Sequence, residues 1–106
     1  MGFEEEFNYL KERLPPLLDE IVIYQLLGTL IGDKFNSWEG ICLCTNRRLI
    51  FSSSPGIFSS GETKVFQFNE IKSYSFHTSD GIFHADFFFF NHPKISIELD
   101  FDDQGY

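Results

Sequence analysis

From residue 20 to residue 101 the chain is a succession of short β-type runs with no helical pattern between them. The runs read EIVIYQLLGTLIG (20–32), GICLCTN (40–46), RRLIFSS (47–53), ETKVFQFN (62–69), EIKSYSFHT (70–78), FHADFFFFN (83–91) and KISIELDF (94–101). A parallel crossover takes a dozen or more residues and usually a helix. Connections this short therefore predict about seven antiparallel strands, folded as a barrel or as two orthogonal sheets. Turn residues punctuate the runs at Ser54-Pro55-Gly56, Ser79-Asp80-Gly81 and Asn91-His92-Pro93. A tight turn is expected around Asn46, and a bend in the first run at Gly28.

Two neighbouring runs differ in their patterning. In 94–101, Ile95, Ile97, Leu99 and Phe101 share one side, while Lys94, Ser96, Glu98 and Asp100 share the other. That alternation predicts one wet face. In 87–90 four phenylalanines follow one another, so both faces of that strand are apolar. One parity, Phe87/Phe89 or Phe88/Phe90, belongs to the core. The other parity needs cover.

The first cover to consider is the N-terminus. Phe3, Phe7, Leu10 and Leu14 fall at i, i+4, i+7 and i+11, the apolar stripe of a helix over 3–14. Glu4, Glu5 and Glu6 suit its N-terminal end, and Pro15-Pro16 stops it. A second subunit is the next candidate cover.

The chain has 106 residues, 42% hydrophobic and 18% aromatic, enough for one domain with a real core. We expect a single domain over 1–106: the helix at 3–14, the barrel at 20–101 and an acidic tail at 102–106. The formal net charge is −8 with only eight Lys and Arg. Nucleic acid and anionic membranes bind mainly through such cations, so neither is an expected partner. The acidic start, MGFEEEF, lacks the positive region of a signal peptide, and no run is long enough to span a bilayer. A cytoplasmic location is expected.

Catalytic signals are weak. Cys42 and Cys44 share a strand face, where disulfide geometry is rare, and no second cysteine pair offers a metal site. His77 and His84 flank the 78–83 turn and can face each other across a hairpin, but with Asp80 and Asp86 they match no ligand spacing. No phosphate-binding glycine loop, nucleophile elbow or H-E-x-x-H helix occurs. The expectation is no enzyme, no cofactor, no metal and no small-molecule substrate. Loops offer Phe35 and Trp38 in one place and Ile57 and Phe58 in another as contact residues.

The segment Gly40, an apolar strand, Thr45-Asn46-Arg47-Arg48 and then Leu49-Ile50-Phe51 resembles the second and third strands of the pleckstrin-homology-like superfamily, closest to the bacterial YokE-like and GRAM-like groups. VFQFNEIKSYSF (65–76) resembles a later segment of those families, and LLDEIVIYQLLG their first strand. The similarity runs over most of residues 5–101. It implies a seven-stranded bent antiparallel barrel with a C-terminal helix plugging one open end. After Phe101 only DDQGY follows, so that end, or a groove between strands, is expected to lack its usual cover. Phosphoinositide-binding members use a basic first loop. The matching loop, GDKFNSW (32–38), carries Lys34 alone, opposed by Asp33. Arg47 and Arg48 are read as turn geometry and surface pairing.

These readings converge on a non-catalytic interaction module that binds a protein partner or itself. Its contact residues are expected among Phe3, Phe7, Leu10, Leu14, Phe87, Phe88, Phe89 and Phe90. The alternative is a lipid- or peptide-binding barrel, including an immunity or inhibitor role.

Overall fold

The computed structural model describes residues 3–32, 34–57 and 60–99, and all their side chains but that of Phe3. Phe58, Asp100 and Phe101 lie outside the described residues, as does the tail at 102–106. A helix, α1 (Phe3–Arg13), precedes seven strands: β1 (Val22–Ile31), β2 (Trp38–Thr45), β3 (Leu49–Ser53), β4 (Glu62–Phe66), β5 (Ile71–Ser79), β6 (Ile82–Phe89) and β7 (Ile95–Leu99). Every pairing is antiparallel, in the order β4-β3-β2-β1-β7-β6-β5. The expected mainly-β architecture with one N-terminal helix is what forms.

Strand β1 is the seam of this sheet. It pairs with β2 over nearly its whole length, Val22 with Thr45 through to Leu30 with Trp38. It meets β7 only through Thr29, Leu30 and Ile31. Above Gly28 the sheet is continuous, and below it the two halves part. Gly28 stands where they meet, opposite Gly40, and a side chain there would run into the Glu98 carbonyl oxygen. The bend expected at Gly28 is thus a close approach of three backbones. The β4-β3-β2-β1 half folds over the β7-β6-β5 half, and β1 and β7 part toward one open side.

The main core fills the space between the halves. Phe51 is fully buried at its centre, with ring centroids 5.3 Å from Phe87, 6.0 Å from Phe66 and 6.3 Å from Phe89. Leu30, Cys42, Leu49, Ala85, Ile95 and Ile97 complete it. The phenylalanine run is therefore divided: Phe87 and Phe89 are core, Phe88 is half-buried and Phe90 is 62% exposed.

A second, smaller core lies on the other face of β2 and β3. Leu10 of α1 packs with Ile41, Leu43 and Ile50, joined at the edge by Phe7, Leu14, Leu27 and Val65. The helical stripe thus covers the outside of the first half of the sheet. It does not cover the phenylalanine strand, the place first considered for it. The reason is that β2 and β3 are themselves apolar on both faces: every residue of β3 is buried. Helix α1 ends at Arg13, with the Leu14 N–H still bonded to Leu10 O at 2.7 Å, because Pro15 has no N–H to continue the ladder.

The run expected as one strand over 62–69 breaks after Phe66. The Gln67 N–H donates to Glu70 Oε2 at 2.6 Å and Phe68–Glu70 form a single 3-10 turn into β5. No helix among the described residues is long and apolar enough to cross a membrane.

Candidate functional site

Because β1 leaves β7 below Gly28, the side between the two halves stays open there. The opening is a groove of about 480 Å³. One wall is Tyr24 of β1, Cys44 of β2 and Leu49 of β3; the other is Ile71, Tyr74 and Phe76 of β5, with Phe68 of the 3-10 turn at the rim and Phe87 at the floor. Its size lies in the range of ordinary ligand sites. Four of its aromatic side chains face solvent substantially: Tyr24 38%, Phe68 45%, Tyr74 64% and Phe76 47%.

Strand parity explains this lining. Tyr74 is registered opposite Phe87 and Phe76 opposite Ala85, and both partners are core residues. Tyr74 and Phe76 consequently point to the same concave face, past the edge of the packed core. Their rings lie 5.4 Å apart, and Phe76 stacks on Phe83 at 5.9 Å. The groove is electrically quiet. Burial, then the neighbouring Cys44 and Cys42, push the Tyr24 hydroxyl well above its ordinary pKa. Burial does the same to the Cys42 thiol. Both stay neutral, and Lys72 is the only formally charged side chain in the lining.

The residues expected to bind partners are scattered relative to this groove. Phe7, Leu10 and Leu14 are spent on the small core under α1, and Phe87 and Phe89 on the main core. Phe35, expected at a loop surface, is fully buried. Its loop folds inward through Phe35 N–H to Gly32 O and Trp38 N–H to Phe35 O bonds, each 3.0 Å, and Trp38 packs half-buried beside it. Ile57 is 93% exposed. Phe88 faces outward on β6 and Phe90 follows the end of that strand; the Lys94 ammonium lies 5.9 Å from the centre of the Phe88 ring.

The Thr45–Arg48 turn has a structural task. Arg48 forks onto Glu20, Nε to Oε2 at 2.9 Å and Nη2 to Oε1 at 3.0 Å, with both side chains almost fully buried. Thr45 adds its hydroxyl to Glu20 Oε2 at 2.7 Å. Asn46 accepts from the Ile21 N–H and donates to Asp19 O, and Arg47 reaches Leu18 O. The turn thus straps down the segment between α1 and β1. Burial alone would raise the Glu20 pKa, but the bonds from Arg48, the Leu17 N–H and Thr45, with the Arg48 charge, hold it down to about 2. The expected surface pairing is corrected: Arg48 pairs with Glu20 in the interior, and Arg47 bonds a backbone carbonyl.

Glu6 carries a role that the charge pattern hides. It is fully buried, accepting the Ser54 N–H at 2.8 Å and the Ser54 hydroxyl at 2.9 Å. Burial outweighs those two bonds and raises its pKa. The signal was available: Glu6 is four residues before Leu10, on the apolar side of the helix.

The outer face of β5, β6 and β7 is polar, with Lys94 and His77 exposed, and a chain of side chains crosses it. His77 and His84 stack at 4.9 Å, facing each other across the hairpin. Asp86 bonds His77 Nε2 at 2.9 Å and accepts the Ser96 hydroxyl at 2.5 Å. Burial would raise the Asp86 pKa, but Ser96, His77 and Lys94 together lower it. In this order the carboxylate, and not an imidazole, meets the serine. The chain ties three strands together. Among the described residues no group of three or more His, Cys, Asp or Glu side chains converges to hold a metal ion.

No curated protein matches the chain. A family model described as Bacterial PH domain matches residues 18–104, the whole barrel from the strapped linker onward. With the seven-stranded bent sheet in the order found here, that match settles the relationship: the chain belongs to the bacterial PH domain family.

Proposed function

We propose that this bacterial PH domain is a non-catalytic interaction module whose docking surface is the groove between β1 and β5, and whose ligand is an amphipathic helix of a partner protein. The observation that carries this reading is the cluster of four solvent-facing aromatics, Tyr24, Phe68, Tyr74 and Phe76, around one apolar cavity of about 480 Å³. Aromatic side chains converging on a concave site are typical anchor points at interfaces. PH-like architecture implies a helix at the open end of the barrel, and among the described residues no α-helix lies there, since α1 is on the far side of β2 and β3.

A helix brings three or four apolar side chains along one stripe, at i, i+3, i+4 and i+7. Each such side chain contributes about 1.5–3 kcal/mol on burial, enough for useful affinity after the cost of association. The chain carries a formal net charge of −8, so the far face of the partner helix is expected to be basic.

The test uses a fluorescent cationic helical peptide with leucines on one stripe and lysines opposite, titrated by anisotropy. Saturable binding is expected, weakened about tenfold or more by Phe68→Asp at the groove rim. Equal affinity for the wild type and the variant refutes the groove as the site. Co-sedimentation with phosphatidylcholine vesicles, lost in Phe68→Asp, assigns the groove to lipid instead.

A further inference from the structure

We propose that two copies of this chain pair edge to edge through β5, antiparallel about a two-fold axis at Ser75, to make one continuous fourteen-stranded sheet (seven from each copy). This surface is the outer backbone edge of β5, whose side chains Tyr74 and Phe76 also line the groove, and the partner is a second copy.

The two edges of the sheet are built differently. The β4 edge is five residues long and carries Glu62 and Lys64, the short, charged form by which sheets discourage further pairing. The β5 edge is nine residues long, contains no proline, and has Lys72 as its one formally charged residue. No strand among the described residues pairs with its outer side. A long, nearly uncharged edge left open is a template for another strand.

The sequence of this edge is self-complementary. With Ser75 opposite Ser75 of the second copy, Tyr74 stands opposite Phe76 of the second copy, and Phe76 opposite Tyr74 of the second copy. The aromatic residues flank the axis symmetrically, so the pairing yields two cross-strand aromatic contacts on the concave face, among the favoured pairs in antiparallel sheets. On the convex face Ser73 comes opposite His77 of the second copy, a hydrogen-bonding pair. Lys72 lies at the bulge between Ile71 and Ser73, away from the axis, so the two lysines do not meet. A shift by one residue brings Tyr74 opposite Ser75 in one direction and opposite His77 in the other, and the aromatic matching is lost. An isologous contact of this kind closes on itself as a dimer. The pairing also gives Tyr74 and Phe76, which are 64% and 47% exposed in the single chain, lateral aromatic neighbours while leaving them on the concave face.

The register makes the test specific. Ser75→Cys places a thiol opposite its own copy on the axis, whereas Ser79→Cys stands four residues from the axis, far from its own copy. Under mild copper–phenanthroline oxidation, Ser75→Cys is expected to form a disulfide dimer at least about tenfold faster than Ser79→Cys or the wild type. Analytical ultracentrifugation of the wild type is expected to show a concentration-dependent dimer. Tyr74→Lys, at an exposed position, is expected to raise its dissociation constant about tenfold or more through loss of both aromatic pairs. A monomer at every concentration, or equal cross-linking of the two cysteine variants, overturns the pairing. A monomer that still binds the helical peptide overturns the pairing and leaves the groove reading standing.

Discussion

Replacing Arg48 with methionine isolates the energetic centre of the strap between α1 and β1. Arg48→Met keeps most of the side-chain bulk and removes the fork on Glu20. In the folded protein the Glu20 pKa is about 2, against an ordinary 4.5. That difference is worth about 3 kcal/mol of stability at neutral pH, at roughly 1.4 kcal/mol per unit. The folded pKa lies below the unfolded one, so this stability is complete above about pH 5 and is lost as the pH falls toward 2. At pH 3 less than half of it remains by the same relation. Without Arg48 the Glu20 carboxylate sits buried with only Thr45 and the Leu17 N–H, the situation in which breaking a buried pair costs about 3–5 kcal/mol. Urea denaturation of both proteins at pH 7 and pH 3 measures the effect. The expected loss is about 3–4 kcal/mol at pH 7 and less than half of that at pH 3. A loss under about 1 kcal/mol at pH 7, or the same loss at both pH values, refutes the argument.

Glu6 should show the opposite sign. Its pKa is raised, so wild-type stability falls as pH rises from 4.5 through the folded pKa; Glu6→Gln, which can retain both contacts to Ser54, is expected to flatten that fall in urea titrations. Within the phenylalanine run, Phe87→Ala is expected to cost about 3–5 kcal/mol in thermal or urea unfolding and Phe90→Ser to stay within about 0.5 kcal/mol. Near-equal effects would contradict the division of the run into core and surface.

Local rules read most of the architecture. Strand number and antiparallel pairing followed from short connections and turn residues, and the helix from the spacing of Phe7, Leu10 and Leu14. Alternation in residues 95–99 gave their inward face correctly, with Ile95, Ile97 and Leu99 buried. On the other face Lys94 is exposed as expected, but Ser96 is dried by Asp86, a residue of the neighbouring strand that local patterning cannot place opposite it. Composition suggested that the apolar stripe of α1 and the phenylalanine run should meet. Only the pairing order shows that they lie on different halves of the sheet. Glu6 was masked by its place in a run of three acids, although its helical position put it on the buried side.

The groove was legible only as an expectation of an uncovered barrel end. Its lining comes from Tyr24, Cys44, Phe68, Tyr74 and Phe76, which belong to four different elements brought together by the partial seam between β1 and β7. The one local hint was the alternation of Tyr74 and Phe76 with Ser73, Ser75 and His77. That pattern marks a half-apolar strand, but the concave face it serves is a property of the fold.

The reactivity of Cys44 tests the docking account most directly. Cys44 is half-buried in the groove wall, while Cys42 beside it is fully buried and serves as an internal control. In the native protein a thiol reagent is expected to modify Cys44 and spare Cys42. Saturating amounts of the cationic amphipathic peptide are expected to slow the Cys44 reaction about tenfold or more, as exclusion of solvent from the groove requires. An unchanged Cys44 rate in the saturated complex would place the peptide elsewhere and contradict the account.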